Sequence, residues 1–374
     1  MHRLHKLNRK DGMKMRLTRR LEQLFAAILP FLLLGLLLVL ANGGREIAEV
    51  LNGRVKLCLE MLIPSLFACM AAANLLQQSG AAEQLGRWFA KVFPCSAPMA
   101  GVFLLSQLAG YPVGAALLRK LCAEGKVSLQ DANRMSTVCF GGGPSFAVGL
   151  AGTQLFGSAA VGWKLWGCCL LANLCAAFIL RPNRNTSIEP PQARVSCRMD
   201  AEILTDSVSD AMRSLYHICG IVLLFGAAEW LFEKGGVLLA VGAVCERFGV
   251  PTHQTTAFCA ALLDVTQLVR FCRSGVSAWA AIPCAAGLLS FGGICVLLQC
   301  KAVGGEVISV GRLLLTRFFV GILAAGFSVL LLLADDENLA VSTLLLSHKT
   351  FSFASPLPSL LIFFTGFPLI LKKD

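Results

Sequence analysis

Apolar runs of about 18 to 22 residues recur along the chain, the length of helix that crosses a bilayer core. The cleanest is LFAAILPFLLLGLLLVLA, Leu24–Ala41, followed after a mixed stretch, Asn42–Lys56, by LCLEMLIPSLFACMAAANLL, Leu57–Leu76, which carries Glu60 and Pro64. Further spans are read over Trp163–Leu180, Leu215–Phe232, Thr256–Cys272 and Leu313–Ala334. Between them lie two amphipathic stretches, Gly80–Phe93 and Gly236–Phe248, and a polar connector, Arg119–Met135. In the connector Ser128 is placed as the N-cap of a short helix with Asp131 at its third position. A polar helix, Asp200–Arg213, leads into the span at Leu215.

Three apolar segments are interrupted. LLSQLAGYPVGAALLRK breaks at Gly110, Tyr111 and Pro112, STVCFGGGPSFAVGLAGTQLFGSAA at Gly141, Gly142, Gly143 and Pro144, and Ala280–Cys300 at Gly292 and Gly293. Pro removes a helix donor and Gly lets the backbone turn. The backbone groups so freed survive at membrane depth only where protein or a watery cavity covers them. Any one break also fits a packing kink, whereas three consecutive Gly exceed what a kink needs. A half-helix that starts at a break points its N–H groups and positive dipole end into the cavity, where a polar or anionic solute can be held. Pro144 suits a first helical turn and Ser145 adds a hydroxyl. The candidate solute-binding residues are therefore Gln107, Gly110, Tyr111, Pro112, Gly141, Gly142, Gly143, Pro144 and Ser145 in the first half. Ser290, Gly292, Gly293 and Gln299 are their counterparts in the second.

Composition agrees with the pattern, since 56% hydrophobic and 15% charged residues do not suit a chain folding in water. The net charge of +11 is concentrated beside the spans and in Met1–Arg20, which marks a cytoplasmic face rather than nucleic-acid binding. The apolar run after Arg20 is longer than a signal-peptide core and more spans follow, so it is expected to be retained. The 16 cysteines include no Cys-x-x-Cys pair and sit mostly in apolar runs, where a thiol packs as a small hydrophobe. The five His residues are scattered, and no Walker A loop, His-Glu-x-x-His or Gly-x-Ser-x-Gly occurs. No enzyme, metal or cofactor is expected. Asp264, with Thr266 and Gln267 beside it, is the acidic residue deepest in an apolar run. It is read either as an ion or proton coupler, together with Gln267, or as a partner of Arg270 or Arg273. Glu60 and Glu229 are weaker candidates.

These readings predict an all-α polytopic membrane protein of two diverged repeat halves with interrupted or re-entrant helices. A basic cytoplasmic N-terminus covers 1–23, a first membrane half 24–180, a polar basic linker and helix 181–213, and a second membrane half 214–334. The apolar tail, 335–374, holds Pro356, Pro358 and Pro368, and whether it crosses stays open. The repeat is read from LLSQLAGYPVG at Leu104 against LLSFGGICV at Leu288. Charge parity, counting two crossings from Arg16, Arg19 and Arg20 to Arg87 and Lys91, keeps the Lys126 connector inside if the segment at Gly110 is a re-entrant hairpin.

GYPVGAALLRKLCAEGKVSLQDANRM, CFGGGPSFAVGLAGTQLFGS, LLDVTQL and GLLSFGGICVLLQ together resemble the YlbJ-type sporulation integral membrane proteins, which carry the nucleoside-recognition Gate domain. The likeness runs from about Pro64 to Ala334. It implies a multi-pass protein of the cell membrane of a spore-forming bacterium, in the forespore or the mother cell, with movement of a small polar or anionic solute as its expected activity. A sporulation assembly or signalling protein that keeps the Gate fold without transport is the alternative. By this resemblance Gly110, Tyr111 and Pro112 match the family's Gly-Tyr-Pro, and Gly143 and Pro144 its Gly-Pro. Where the family commonly carries two Asn and a Ser, this chain has Phe140, Gly141 and Gly142, which leaves backbone groups to recognise a ligand. The expected partners are the lipid bilayer and the solute; homo-oligomerisation is left open.

Overall fold

The computed structural model describes residues 30, 34–35, 37–90, 95–180 and 199–334. The basic N-terminus, part of Leu24–Ala41, Lys91, the Arg181–Arg198 linker with Arg194, and the tail after Ala334 lie outside the described residues. All regular structure among the described residues is helical. The chain divides into two units, Met1–Gly53 and Arg54–Asp374.

The first unit holds helix α1, described over 37–53. The second opens helical at Arg54 and runs through a π-helical turn, Cys58–Leu62, into α2, Ile63–Gln78. Asn42–Lys56, expected as a connector between spans, is helical, so the parity count loses the loop it relied on. Then come α3, Ala81–Phe89, α4, Ala97–Ala109, α5, Val113–Ala123, and α6, Leu129–Met135. Ser128 caps α6 as expected, its Oγ accepting from the Asp131 amide at 3.1 Å. A π-helical stretch, Ser145–Leu155, leads to α7, Ala159–Ile179. Helix α8, Ala201–Lys234, unites the expected polar helix and span in one element, capped by the Asp200 carboxylate on the Ile203 amide at 2.8 Å.

Helix α9, Val237–Glu246, covers most of the second stretch expected as amphipathic, but it is apolar along nearly its whole length, with Val237, Leu239, Val241 and Val244 exposed. The expected span Thr256–Cys272 is not one helix: α10, Thr252–Leu263, stops at Asp264, a short turn covers Val265–Gln267, and α11 is Leu268–Cys272. Then follow α12, Ala278–Phe291, α13, Gly293–Gly304, and α14, Val310–Ala334.

Among the described residues, four stretches are long and apolar enough to cross a membrane: Ala159–Ile179, Ala201–Lys234, Ala278–Val307 and Val310–Ala334. Helix α14 shows how they are oriented. It turns Leu315, Phe318, Phe319, Ile322, Leu330 and Leu333 outward and buries Arg317, Gly321 and Ser328. Large apolar residues outside, with Arg317 and Ser328 inside beside Leu313, Val320, Ala324 and Leu332, invert the pattern of a helix that faces water. Small residues let the helices close up. A Cβ added at Gly86 of α3 would lie 2.0 Å from the Ala97 carbonyl of α4, and one at Gly101 2.2 Å from that of Ala82. Such approach is what holds apolar helices together where lipid competes equally for their side chains.

The two breaks paired in the sequence repeat take different forms. At Gly110–Pro112 the chain doubles back, since a Cβ on Gly114 would lie 2.8 Å from the Cβ of Ser106. In a continuous helix those residues stand about 12 Å apart. At Gly292 the helix is interrupted within a single apolar stretch, Ala278–Val307.

Candidate functional site

The first two breaks cross each other backbone to backbone. Gly110, at φ +82°, would place a Cβ 2.8 Å from the amide nitrogen of Gly143, and a Cβ on Gly143 would fall 2.6 Å from the Leu108 carbonyl. The Tyr111 N–H donates to the Gly141 carbonyl at 2.7 Å, and the Gly143 carbonyl accepts from Phe146 and Ala147 at 3.0 and 3.1 Å. Pro112 opens α5, its carbonyl accepting from Ala115 at 3.1 Å. One hydrogen bond thus joins the two breaks, and the other bonds named are made within the adjoining helical turns, as buried backbone groups require.

A second crossing joins the other two. Asp264 takes an extended conformation after α10, and its Oδ1 accepts from the Thr266 amide at 3.0 Å. A short carboxylate folded onto the amide two residues on is a local turn signal. Against this turn lies the third break, where Gly293, at φ +78°, would set a Cβ 3.0 Å from the Val265 nitrogen. Phe140 ties the crossings together, because a Cβ on Gly292 would meet its ring at 2.6 Å.

Between them is a pocket of about 310 Å³ including its open mouth, lined on the polar side by Tyr111, Asp264, Thr266 and Gln299. Leu62, Leu66, Phe146, Ile218, Val222, Val265 and Val296 complete the wall. Its centre holds roughly one water-sized molecule. The Tyr111 ring sits 5.1 Å from that of Phe140 and 5.6 Å from that of Phe146, and the residue is 3% exposed. Its hydroxyl is buried without a hydrogen-bond partner among the described residues. Such a group calls for a ligand or a function.

Behind Asp264 stands a charge cluster. Arg54 Nη1 donates to Asp264 Oδ2 at 2.8 Å and to Thr266 Oγ1 at 3.1 Å, while Nη2 donates to Glu229 Oε2. Gln267 Nε2 also donates to Glu229, at 3.2 Å, and Arg270 lies 3.6 Å from it and 2.5 Å from Glu233. The cation on Asp264 is therefore Arg54, in place of the expected Arg270 or Arg273. Glu229 belongs to the buried cluster, whereas Glu60 is half-exposed beside Lys56 at 3.8 Å.

A separate network braces the breaks from outside the pocket. Arg317, fully buried, spends all five N–H groups on neutral acceptors: Nε and Nη2 on the Ser290 carbonyl at 3.1 and 2.8 Å, and Nη2 on Ser290 Oγ at 2.9 Å. Its Nη1 donates to the Thr137 carbonyl at 2.9 Å and to Asn173 Oδ1 at 2.7 Å. Asn173 Nδ2 donates to Gln107 Oε1 and to the Phe140 carbonyl, both at 2.8 Å, and Gln107 Nε2 to the Val138 carbonyl at 3.2 Å. The guanidinium also lies 4.7 Å over the Phe140 ring.

Of the residues predicted from sequence, Tyr111, Asp264 and Gln299 reach the pocket wall. Gln299 is oriented by Nε2 on Cys295 Sγ at 3.3 Å. Gly142 stands behind Tyr111, where a Cβ would lie 3.2 Å from the hydroxyl. Gln107 and Ser290 serve the Arg317 network, Gly110, Gly141, Gly143, Gly292 and Gly293 the crossings, and Gln267 the charge cluster. Pro144 and Ser145 start the π-helical stretch as expected and are half-buried. Sequence reasoning missed Arg54, Arg317 and Asn173. Arg317 carried a readable signal, a charge within the apolar run Leu313–Ala334. No family model, curated protein or solved structure matches the chain.

Proposed function

We propose that the chain is a multi-pass protein of the cell membrane that acts as a permease for a small polar solute, bound between the two crossings. The observation that carries this reading is the unpartnered Tyr111 hydroxyl, buried in the same pocket wall as Asp264, Thr266 and Gln299. Interrupted helices that converge on one polar pocket are the arrangement by which transporters hold a solute at membrane depth. Of the two solute classes expected from sequence, uncharged polar is favoured over anionic, because the charged group in the wall is a carboxylate and Arg54 is already engaged by two acids. Asp264 and Gln267 are the coupling residues of this reading.

The resemblance of the Gly-Tyr-Pro and Gly-Pro motifs to YlbJ-type proteins adds sporulation and a forespore or mother-cell membrane to the proposal. The non-transporting alternative draws on one observation, the tightness of the pocket at its centre. Uptake into vesicles containing the full chain decides between them, with a panel of nucleosides, organic anions and metal ions. Uptake of a neutral polar solute that Tyr111→Phe lowers supports the permease. No uptake by a correctly inserted chain, together with sporulation unaffected by Tyr111→Phe, leaves the non-transporting role.

A further inference from the structure

One guanidinium serves two buried carboxylates, and only one of these faces the pocket. Asp264 is a wall residue; Glu229 and Arg54 stand behind it. Glu229 has donors of its own in Gln267, at 3.2 Å, and Arg270, at 3.6 Å, so its charge is not left bare by movement of Arg54. The arginine stem is held in a notch of α8, where a Cβ on Gly226 would fall 2.7 Å from Arg54 Cγ. A head group anchored in this way can pivot between the two acids without leaving either charge in apolar surroundings. Independently, Tyr111, 3% exposed and with an unpartnered hydroxyl, lines the same pocket.

We propose that Arg54 sets the specificity of the pocket as an internal competitor for Asp264. The solutes admitted are those with an N–H or O–H donor, uncharged or cationic, that replaces the guanidinium on the Asp264 carboxylate, while Glu229 keeps the displaced arginine. Anions are refused, because they offer Asp264 no donor and meet its charge. A carboxylate that is hydrogen-bonded only through acceptable donors discriminates more sharply than an apolar wall, since a poor match leaves it buried and unpaired. This inference rests on the reading of the pocket as the solute site.

The two acids make opposite predictions possible. With the full chain in phosphatidylethanolamine and phosphatidylglycerol vesicles, dicyclohexylcarbodiimide reports the fraction of Asp264 not paired with Arg54, read by mass spectrometry of the adduct. Arg54→Gln removes the competitor and raises labelling about fivefold or more, the low end of a coupling between sites. Glu229→Gln commits the arginine to Asp264 and lowers labelling below that of the unaltered chain. Should Arg54→Gln fail to insert, Arg54→Lys, which cannot fork across both acids, is expected to shift labelling in the same direction. In either Arg54 variant millimolar guanidinium ion, the lost head group itself, protects Asp264, and acetate does not. Labelling that rises in Glu229→Gln or is unchanged there overturns the proposal, as does equal protection by acetate, for the cluster is then a static support. Labelling needs no transported solute, so failure here is distinct from failure of the uptake panel.

Discussion

Gly110 and Gly143 exclude each other's side chains: a Cβ on the first would lie 2.8 Å from the nitrogen of the second, and a Cβ on the second 2.9 Å from the nitrogen of the first. The break at Gly110 is therefore not a weakened helix that alanine would straighten. Gly110→Ala meets a backbone conformation, φ +82° with ψ 179°, that is open essentially to glycine alone and costs about 1–3 kcal/mol, and an occupied space, which costs about 1–3 kcal/mol more. Gly143→Ala meets the second cost alone. Thermal unfolding of the detergent-solubilised protein should show both variants destabilised, Gly110→Ala more so. A Gly110→Ala variant as stable as the parent would mean that the crossing is not tight.

Tyr111 separates support from recognition. Its hydroxyl has no partner, so Tyr111→Phe removes a buried polar group that contributes nothing to the folded state and leaves both ring contacts in place. Stability should be unchanged or up to about 1 kcal/mol higher. Solute uptake should fall about tenfold, the worth of one neutral hydrogen bond at the site. Wild-type uptake by the Phe variant would remove Tyr111 from the site.

What could be read in the sequence, and what could not, follows from the range of the interactions. The breaks at Gly110, Gly143 and Gly292 are local backbone chemistry and stand out in any apolar run. The stop at Asp264 is local too, but one Asp with a Thr two residues on is a faint signal beside a Gly-Pro, and the apolar pattern continues through it. Arg54 and Asp264 are 210 residues apart, and Arg54 lies in a polar stretch where an arginine draws no notice. No periodicity carries that pairing. Nor does spacing tell which polar residues turn toward a pocket: Gln107 and Gln299 look alike in sequence, yet one braces a break and the other lines the wall.

The sidedness of the chain is set at one end of the bundle. Lys120 Nζ lies 3.1 Å from Asp210 of α8, and Arg119 and Asn133 donate to the Val303 and Val307 carbonyls at 3.1 and 2.8 Å. The connector around Lys126 and α8 near Asp210 therefore share an end of the bundle, and by the positive-inside bias that end is predicted to face the cytoplasm. Cysteines placed at Lys126 and Glu202 should both react with an impermeant thiol reagent from the cytoplasmic side, after correction for the native thiols. Labelling of the two from opposite sides would break this assignment.

Arg317 offers the most severe test of the fold. Lysine at this position keeps the charge but has three N–H donors on one atom, where the guanidinium spreads five over the Ser290, Thr137 and Asn173 acceptors. At least two of those five hydrogen bonds are lost in the interior, where an acceptor left bare costs about 1–3 kcal/mol. The losses fall on the carbonyl before the second break and on the one before the third, so both crossings loosen together. Arg317→Lys should lower the unfolding midpoint more than Arg54→Lys does, because Arg54 is backed by acids that still attract a lysine. Arg317→Met, which leaves all four acceptor atoms bare, should lower the midpoint as well. A lysine variant that unfolds at the parent temperature would show that the carbonyls at the breaks are satisfied without the guanidinium, and the bracing role assigned to Arg317 would fall.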